Sequence, residues 1–202
     1  MNTVMDKEGA VLILAGGRSR RMGTDKARLP MADGTLLDWQ RERLAALGLG
    51  VWHSGPGGIV DLWPDFRGPL AGLYSALVQR PEVDFWLLVP VDMPALPVER
   101  LSALQQQMHL ESVPVAYENS PLPLAVPATA TLRDTLATWL NQTDGPRSLR
   151  ALMSHFNGRW LAEPLGEHDR LNVNTPEDWA DFQAMSDGFP RHSGEPTGDS
   201  GE

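Results

Sequence analysis

Two kinds of apolar pattern alternate along the chain. Ala10–Ala15 (Ala-Val-Leu-Ile-Leu-Ala) and Phe85–Val91 (Phe-Trp-Leu-Leu-Val-Pro-Val) are unbroken apolar runs, as expected of strands buried on both faces of a parallel sheet. After Gly68-Pro69, the residues Leu70, Leu73, Tyr74, Leu77 and Val78 fall at i, i+3, i+4, i+7 and i+8, the spacing of a helix that turns one stripe toward a core. Shorter stripes predict further helices. One covers Leu36–Leu47 and stops at Gly48, and one opens at Pro97 and carries Leu101, Leu104 and Met108. Two more carry Leu132/Leu136/Trp139/Leu140 and Leu149/Leu152/Met153/Phe156. Residues 49–54, Val113–Tyr117, Leu122–Val126 and Arg159–Glu163 read as additional strands, the middle two forming a hairpin-like pair about Glu118–Pro121. A last helix opens at Asn174-Thr-Pro-Glu-Asp178, with Thr175 as N-cap, Pro176 at the first helical position and acids in the first turn. It turns Trp179 and Phe182 inward.

Strands that alternate with helices of this length imply βαβ units and right-handed crossovers, hence an α/β fold with a mainly parallel sheet and helices on both faces. The pattern extends over residues 1–186, read as one domain. Residues 187–202 hold one large apolar residue, Phe189, among Gly, Pro, Ser and acids. Such a segment cannot bury enough surface to offset its ordering entropy and is expected to be a disordered tail.

Composition narrows the chemistry. The absence of cysteine excludes a disulfide scaffold, thiolate metal sites and thiol catalysis, and suits a reducing compartment. The N-terminus lacks an apolar h-region and no apolar run approaches ~18 residues, so a cytoplasmic protein with no membrane span is expected. A net charge of −9 argues against a nucleic-acid partner, whose footprint is a basic face.

Against that acidic background, Arg18, Arg20, Arg21, Lys26 and Arg28 crowd into residues 18–28, with Asp25 the one opposing charge. They follow Gly16-Gly17, where backbone N–H groups can approach an anion with no side chain intervening. In parallel sheets ligands bind beyond the carboxyl ends of the strands, which is where both Gly16-Gly17 and Asp92 fall. Polyphosphate fits this charge. A solvated basic turn is the plainer reading. The spacing excludes Walker A, because Lys26 lies three residues past Gly23 and precedes Ala27. The dinucleotide fingerprint G-x-G-x-x-G is also absent. Two readings are open for Asp92: a ligand for Mg²⁺, with phosphate and water completing the octahedron, or a turn-closing residue before Pro94. Asp61 and Asp65 are either contacts for a base or ribose, or ordinary loop acids. The histidines lack metal-like spacing, and no Ser-His-Asp order is visible. In-line attack by an acceptor oxyanion on an α-phosphate, with pyrophosphate leaving, fits these parts.

The segment Leu14-Ala-Gly-Gly-Arg-Ser-Arg-Arg-Met-Gly-Thr-Asp-Lys-Ala27 resembles the signature LAGG-x-S-x-RMG-x-DKA of the molybdenum cofactor guanylyltransferases, the MobA type. The likeness recurs at Gly68-Pro-Leu-Ala-Gly72, Pro90-Val-Asp-Met-Pro94, Pro121-Leu122, Arg147-Ser-Leu149 and Asn172-Val-Asn-Thr-Pro-Glu-Asp178. The resemblance implies a Rossmann-like nucleotidyltransferase that joins GMP from Mg²⁺·GTP to the phosphate of molybdenum-molybdopterin. It implies that Leu14, Ala15 and Gly16 meet the guanine or ribose, that Gly17 and Arg21 line the phosphates and that Lys26 neutralises charge during transfer. By the same resemblance Asp61 contacts the nucleotide, Asp92 binds magnesium, and Asn172 and Asn174 lie toward the acceptor. Transient contacts with cofactor-insertion or acceptor redox proteins are also implied. Where the family often offers an asparagine to the nucleotide, this chain has Trp52-His53-Ser54-Gly55. A cytidylyltransferase on the same pterin, a sugar-phosphate nucleotidyltransferase and a silent nucleotide- or cofactor-binding protein on the same fold are the alternatives.

Overall fold

The computed structural model describes residues 8–15, 25–31, 33–63 and 67–186. The first apolar run forms β1 (Gly9–Leu14) and the second β5 (Phe85–Pro90), and they pair in parallel with Leu14 opposite Pro90. On the outer side of β1 runs β4 (Gly50–His53), also parallel. The expected hairpin is β6 (Val115–Tyr117) with β7 (Ser120–Pro127), and β8 (Arg159–Leu161) closes the far edge. The strand order is β4-β1-β5-β7-β6-β8. Only β7 among these six runs against the others, because it pairs antiparallel with both β5 and β6. The sheet is therefore mainly parallel, as the strand–helix alternation predicts. Its order was not readable from the pattern.

Because side chains alternate across a strand, each central strand feeds two cores. Val11, Ile13, Phe85, Leu87, Val89 and Val115 pack with residues of α1 (Leu36–Ala45), α3 (Val98–Glu111) and α6 (Pro176–Ser186). Ala10, Leu12, Trp86, Leu88, Leu124 and Val126 pack with residues of α2 (Pro69–Gln79), α4 (Ala130–Asn141) and α5 (Leu149–His155). Helices thus cover both faces, which is why β1 and β5 carry no polar alternation. Each fully buried Leu contributes about 1.5–3 kcal/mol.

Local signals set the helix ends. Thr35 and Asp38 form a reciprocal capping box at the start of α1. The hydrogen bonds from Thr35 hold the Asp38 carboxyl below its ordinary value. Thr175 accepts from the Asp178 amide, as the N-cap reading predicts. Gly68 precedes Pro69 with φ +78°, a conformation open to glycine at little cost. The predicted stripe on α2 needs one correction. Val78 is 40% exposed and Tyr74 only half-buried, while Leu70, Leu73 and Leu77 face the core together with Ala71 and Ala76. Two features went unpredicted: the short turn of 3₁₀ helix at Lys26–Arg28 and the ribbon of β2 (Pro30–Met31) with β3 (Gly34–Thr35). The Asp33-Gly34 dipeptide was the available sign of the ribbon. Residues 187–202, the expected tail, lie outside the described residues.

Candidate active site

The carboxyl ends of β1 and β5 lie side by side. The Val91 amide donates to the Leu14 carbonyl at 3.3 Å, and Asp92 follows at once. From a distant part of the chain comes Lys26, the first residue of a short turn whose cap, Asp25, accepts from the Ala27 amide at 3.1 Å. Ala27 and Leu29 are buried and anchor that turn to the core. Lys26 Nζ donates to Asp92 Oδ2 at 3.0 Å and to Asn174 Oδ1 at 2.6 Å. An ammonium has three N–H donors, and among the described residues two of them are used. The Lys26 side chain is 13% exposed and that of Asp92 29%. The carboxylate thus keeps access to solvent while the amine is sunk between its acceptors.

Asn174 owes its position to the start of α6. Its amide and that of Thr175 both donate to Asp178 Oδ2, at 2.9 and 2.8 Å, and these bonds hold the Asp178 carboxyl below its ordinary value. The preceding residue, Val173, is buried and its amide donates to the Asp92 carbonyl at 2.9 Å. Helix cap, Asn174 and Asp92 are thereby tied together. Asn172 donates instead to the Arg170 carbonyl at 3.0 Å.

On the β4 side, the Ala15 amide donates to Ser54 Oγ at 3.1 Å, and the Ser54 amide donates to the Ile13 carbonyl. His53 is buried, with Nε2 3.1 Å from the Pro56 carbonyl oxygen. Gly58 closes this turn so tightly that a Cβ would stand 2.2 Å from the His53 carbonyl oxygen. The first turn of α2 approaches the same rim, since a Cβ at Gly72 would lie 3.5 Å from Leu14 and 3.8 Å from Ser54. No side chain caps that helix, and such an N-terminus favours negative charge. Asp61 Oδ1 accepts from the Trp63 amide at 2.9 Å, closing its own loop.

Of the residues singled out from sequence, Lys26, Asp92 and Asn174 meet directly, while Leu14 and Ala15 border them through the backbone. Gly16, Gly17, Arg18, Arg20, Arg21, Gly23 and Asp65 lie outside the described residues. Two residues of α1 escaped sequence reasoning. Gln40 is fully buried and donates from Nε2 to the Val91 carbonyl at 2.9 Å. Arg43 donates to the Leu96 carbonyl. The sign was a glutamine inside the buried stripe Leu36/Gln40/Leu44, where an aliphatic residue is the ordinary occupant. Among the described residues no group of three or more His, Asp or Glu side chains could hold a metal, and no helix is long and apolar enough to cross a membrane.

The fold aligns with those of known nucleotidyltransferases. Molybdopterin-guanine dinucleotide biosynthesis protein A from Archaeoglobus fulgidus superposes with a TM-score of 0.64 at 18% identity, over 89% of this chain and all of that one. The 2-C-methyl-D-erythritol 4-phosphate cytidylyltransferase of Thermus thermophilus gives 0.65 at 17% identity, over 89% of this chain and 99% of that one. The architecture is thus the α/β fold shared by those two proteins. The family model described as the MobA-like NTP transferase domain matches residues 11–159. A molybdenum cofactor guanylyltransferase of Xanthomonas euvesicatoria pv. vesicatoria is 35% identical over 175 residues, covering 84% of this chain and 91% of that protein. Another from Sinorhizobium fredii is 32% identical over 189 residues, covering 82% and 86%. The chain belongs to the MobA-like nucleotidyltransferase family.

Proposed function

We propose that the chain transfers GMP from GTP to the phosphate of molybdenum-molybdopterin, yielding the guanine dinucleotide form of the cofactor and pyrophosphate. The observation that carries this reading is the convergence of Lys26, Asp92 and Asn174 at the ends of β1 and β5, in a chain whose relatives are named molybdenum cofactor guanylyltransferases.

The donor set is compatible with Mg²⁺. A metal held by Asp92 would draw on phosphate and water oxygens for its other ligands, the habit of magnesium in nucleotide sites. Asp92 would hold it through a partly exposed carboxylate, and the ion would supply neutralisation of triphosphate charge. Lys26 then directs its remaining N–H to a phosphate oxygen, steadied by Asn174. The basic run from Arg18 to Arg28, Arg21 included, neighbours Lys26 in sequence and adds charge for the triphosphate. Gly16 and Gly17 offer backbone N–H groups. Leu14, Ala15 and Asp61 fall on the side of the base and ribose, Asn172 on that of the acceptor. An acceptor phosphate oxygen forms the new bond to the α-phosphorus as the α–β bridging P–O bond breaks. The electron pair leaves with pyrophosphate. No protein-bound intermediate is required, and positioning and charge neutralisation supply the rate. The reading places the protein in the cytoplasm, with passing contacts to proteins that insert or receive the cofactor.

Pyrophosphate release with molybdenum-molybdopterin as acceptor tests this. GTP should support turnover by about 100-fold or more over CTP, EDTA should abolish it, and Asp92→Ala should remove most of it. Preferential use of CTP would make the enzyme a cytidylyltransferase. Nucleotide binding without pyrophosphate release would mark it as silent.

A further inference from the structure

Asp92 is partly exposed on a segment whose Val91, Met93 and Leu96 side chains are sunk in the core, while its backbone is in no strand or helix. Val91–Leu96 leaves the sheet after β5 and contains two loose turns, Met93 N–H to the Pro90 carbonyl at 3.3 Å and Leu96 N–H to the Met93 carbonyl at 3.4 Å. Among the described residues, its backbone is also bonded from outside: Leu14 on the Val91 amide, Val173 on the Asp92 carbonyl, and α1 on the carbonyls of Val91 and Leu96. The α1 anchors are Gln40 and Arg43, one turn apart on the same helix, so their side chains rise from neighbouring positions on one face. They grip the segment on both sides of Asp92.

The geometry points to Gln40 and Arg43 as positioning residues that set where the Asp92 carboxylate stands against Lys26, an inference resting on the reading of Asp92 as the metal-binding acid. The Val91 carbonyl belongs to the peptide plane that also contains the Asp92 Cα. The bond to that oxygen holds the plane before Asp92, the Val173 amide holds the carbonyl after it, and together they set the direction in which the Asp92 side chain leaves the backbone. A displacement of about 1 Å in such a group is enough to lower turnover about 100-fold.

The two side chains are also poor choices for stability alone. Gln40 is fully buried, yet among the described residues its Oε1 has no hydrogen-bond partner, and neither do Arg43 Nε and Nη2. Burial pulls the Arg43 guanidinium down to about 10, against the raising effect of Glu99. The ring of Trp39, 5.1 Å from the guanidinium carbon, covers it without offering an acceptor. Orphaned polar atoms in a core cost free energy. Methionine would fill the Gln40 site with no such atoms, and would lose only the bond to Val91. Local rules of this kind are broken where a site demands it.

The test uses the full chain with Gln40→Met and Arg43→Met, beside wild type and Asp92→Ala. Gln40→Met should lower kcat about 10–100-fold while KM for GTP stays within about threefold. Amide exchange gives a readout independent of turnover. The Val91 and Val173 amides should exchange at least about tenfold faster in the variant, with those of Val11 and Leu12 in β1 unchanged. Turnover within twofold of wild type, or protection lost evenly across β1, would overturn the inference. If Gln40→Met does not fold, Arg43→Met carries the same expectations. In wild type itself, the Val173 amide should be as protected as those of β5, and exchange at the rate of a free loop would refute the clamp. Should Asp92→Ala retain full turnover, the assignment of Asp92 fails instead, and the exchange pattern still judges whether α1 holds the segment.

Discussion

Replacing Lys26 by methionine keeps the apolar stem and removes the ammonium, so the loss can be assigned to charge and hydrogen bonding. The amine sits 3.0 Å from Asp92 Oδ2 and 2.6 Å from Asn174 Oδ1, held before any substrate arrives. A unit charge about 4 Å from developing charge is worth about 4 kcal/mol at an effective dielectric near 20. Mutational removal of one preorganised electrostatic donor costs about 2.7–4 kcal/mol in other enzymes, or 10²–10³-fold in kcat. The two figures agree, and Lys26→Met is expected to lower kcat about 10²–10³-fold. The effect on folding should be much smaller. With the side chains 13% and 29% exposed, solvent screens the ion pair, and the stability change should stay near about 1 kcal/mol. Steady-state pyrophosphate release with GTP varied at saturating Mg²⁺ and acceptor separates the parameters. A rise in KM with kcat within about twofold of wild type would show that Lys26 binds the nucleotide and does nothing more for the transition state.

Two further outcomes concern folding. The Asp38 and Asp178 carboxyls are both held below the ordinary 3.8 by hydrogen bonds at helix starts. Their contribution is present above that value and is lost as pH falls through the lower folded-state value. Urea midpoints of Asp38→Asn should therefore converge on wild type in strong acid and fall below it near neutrality. A constant gap at all pH values would contradict the capping role. Gly58→Ala brings a Cβ against the His53 carbonyl oxygen and should cost about 1–3 kcal/mol, read as a lower urea midpoint. Unchanged stability would mean that the turn beside Ser54 yields easily.

What could be read from the residues depended on whether the signal was local. The runs at Ala10–Ala15 and Phe85–Val91 announced buried strands because two-sided burial removes all polar alternation. Thr175-Pro176 announced a helix start because capping involves neighbours in sequence. Asp92 stood out for the same reason, as an acid closing an apolar strand. The insertion of β7 between β5 and β6 left no local trace, since strand order is decided by packing between segments far apart. Gln40 looked like an interruption in a stripe, because its partner, the Val91 carbonyl, is 51 positions away. Family likeness directed Asn174 toward the acceptor, and no pattern in the residues announced its bond to Lys26.

That bond spans 148 positions of chain. At about 5–20 residues per second, a ribosome needs roughly 7–30 s to go from one partner to the other. Until then β1, β4 and β5 can assemble, but the lysine lacks one of its two acceptors and Asp92 lacks the tie to Val173. The nascent protein can therefore own a nearly finished sheet while its chemistry is still incomplete, and competence waits until Asn174 has been made.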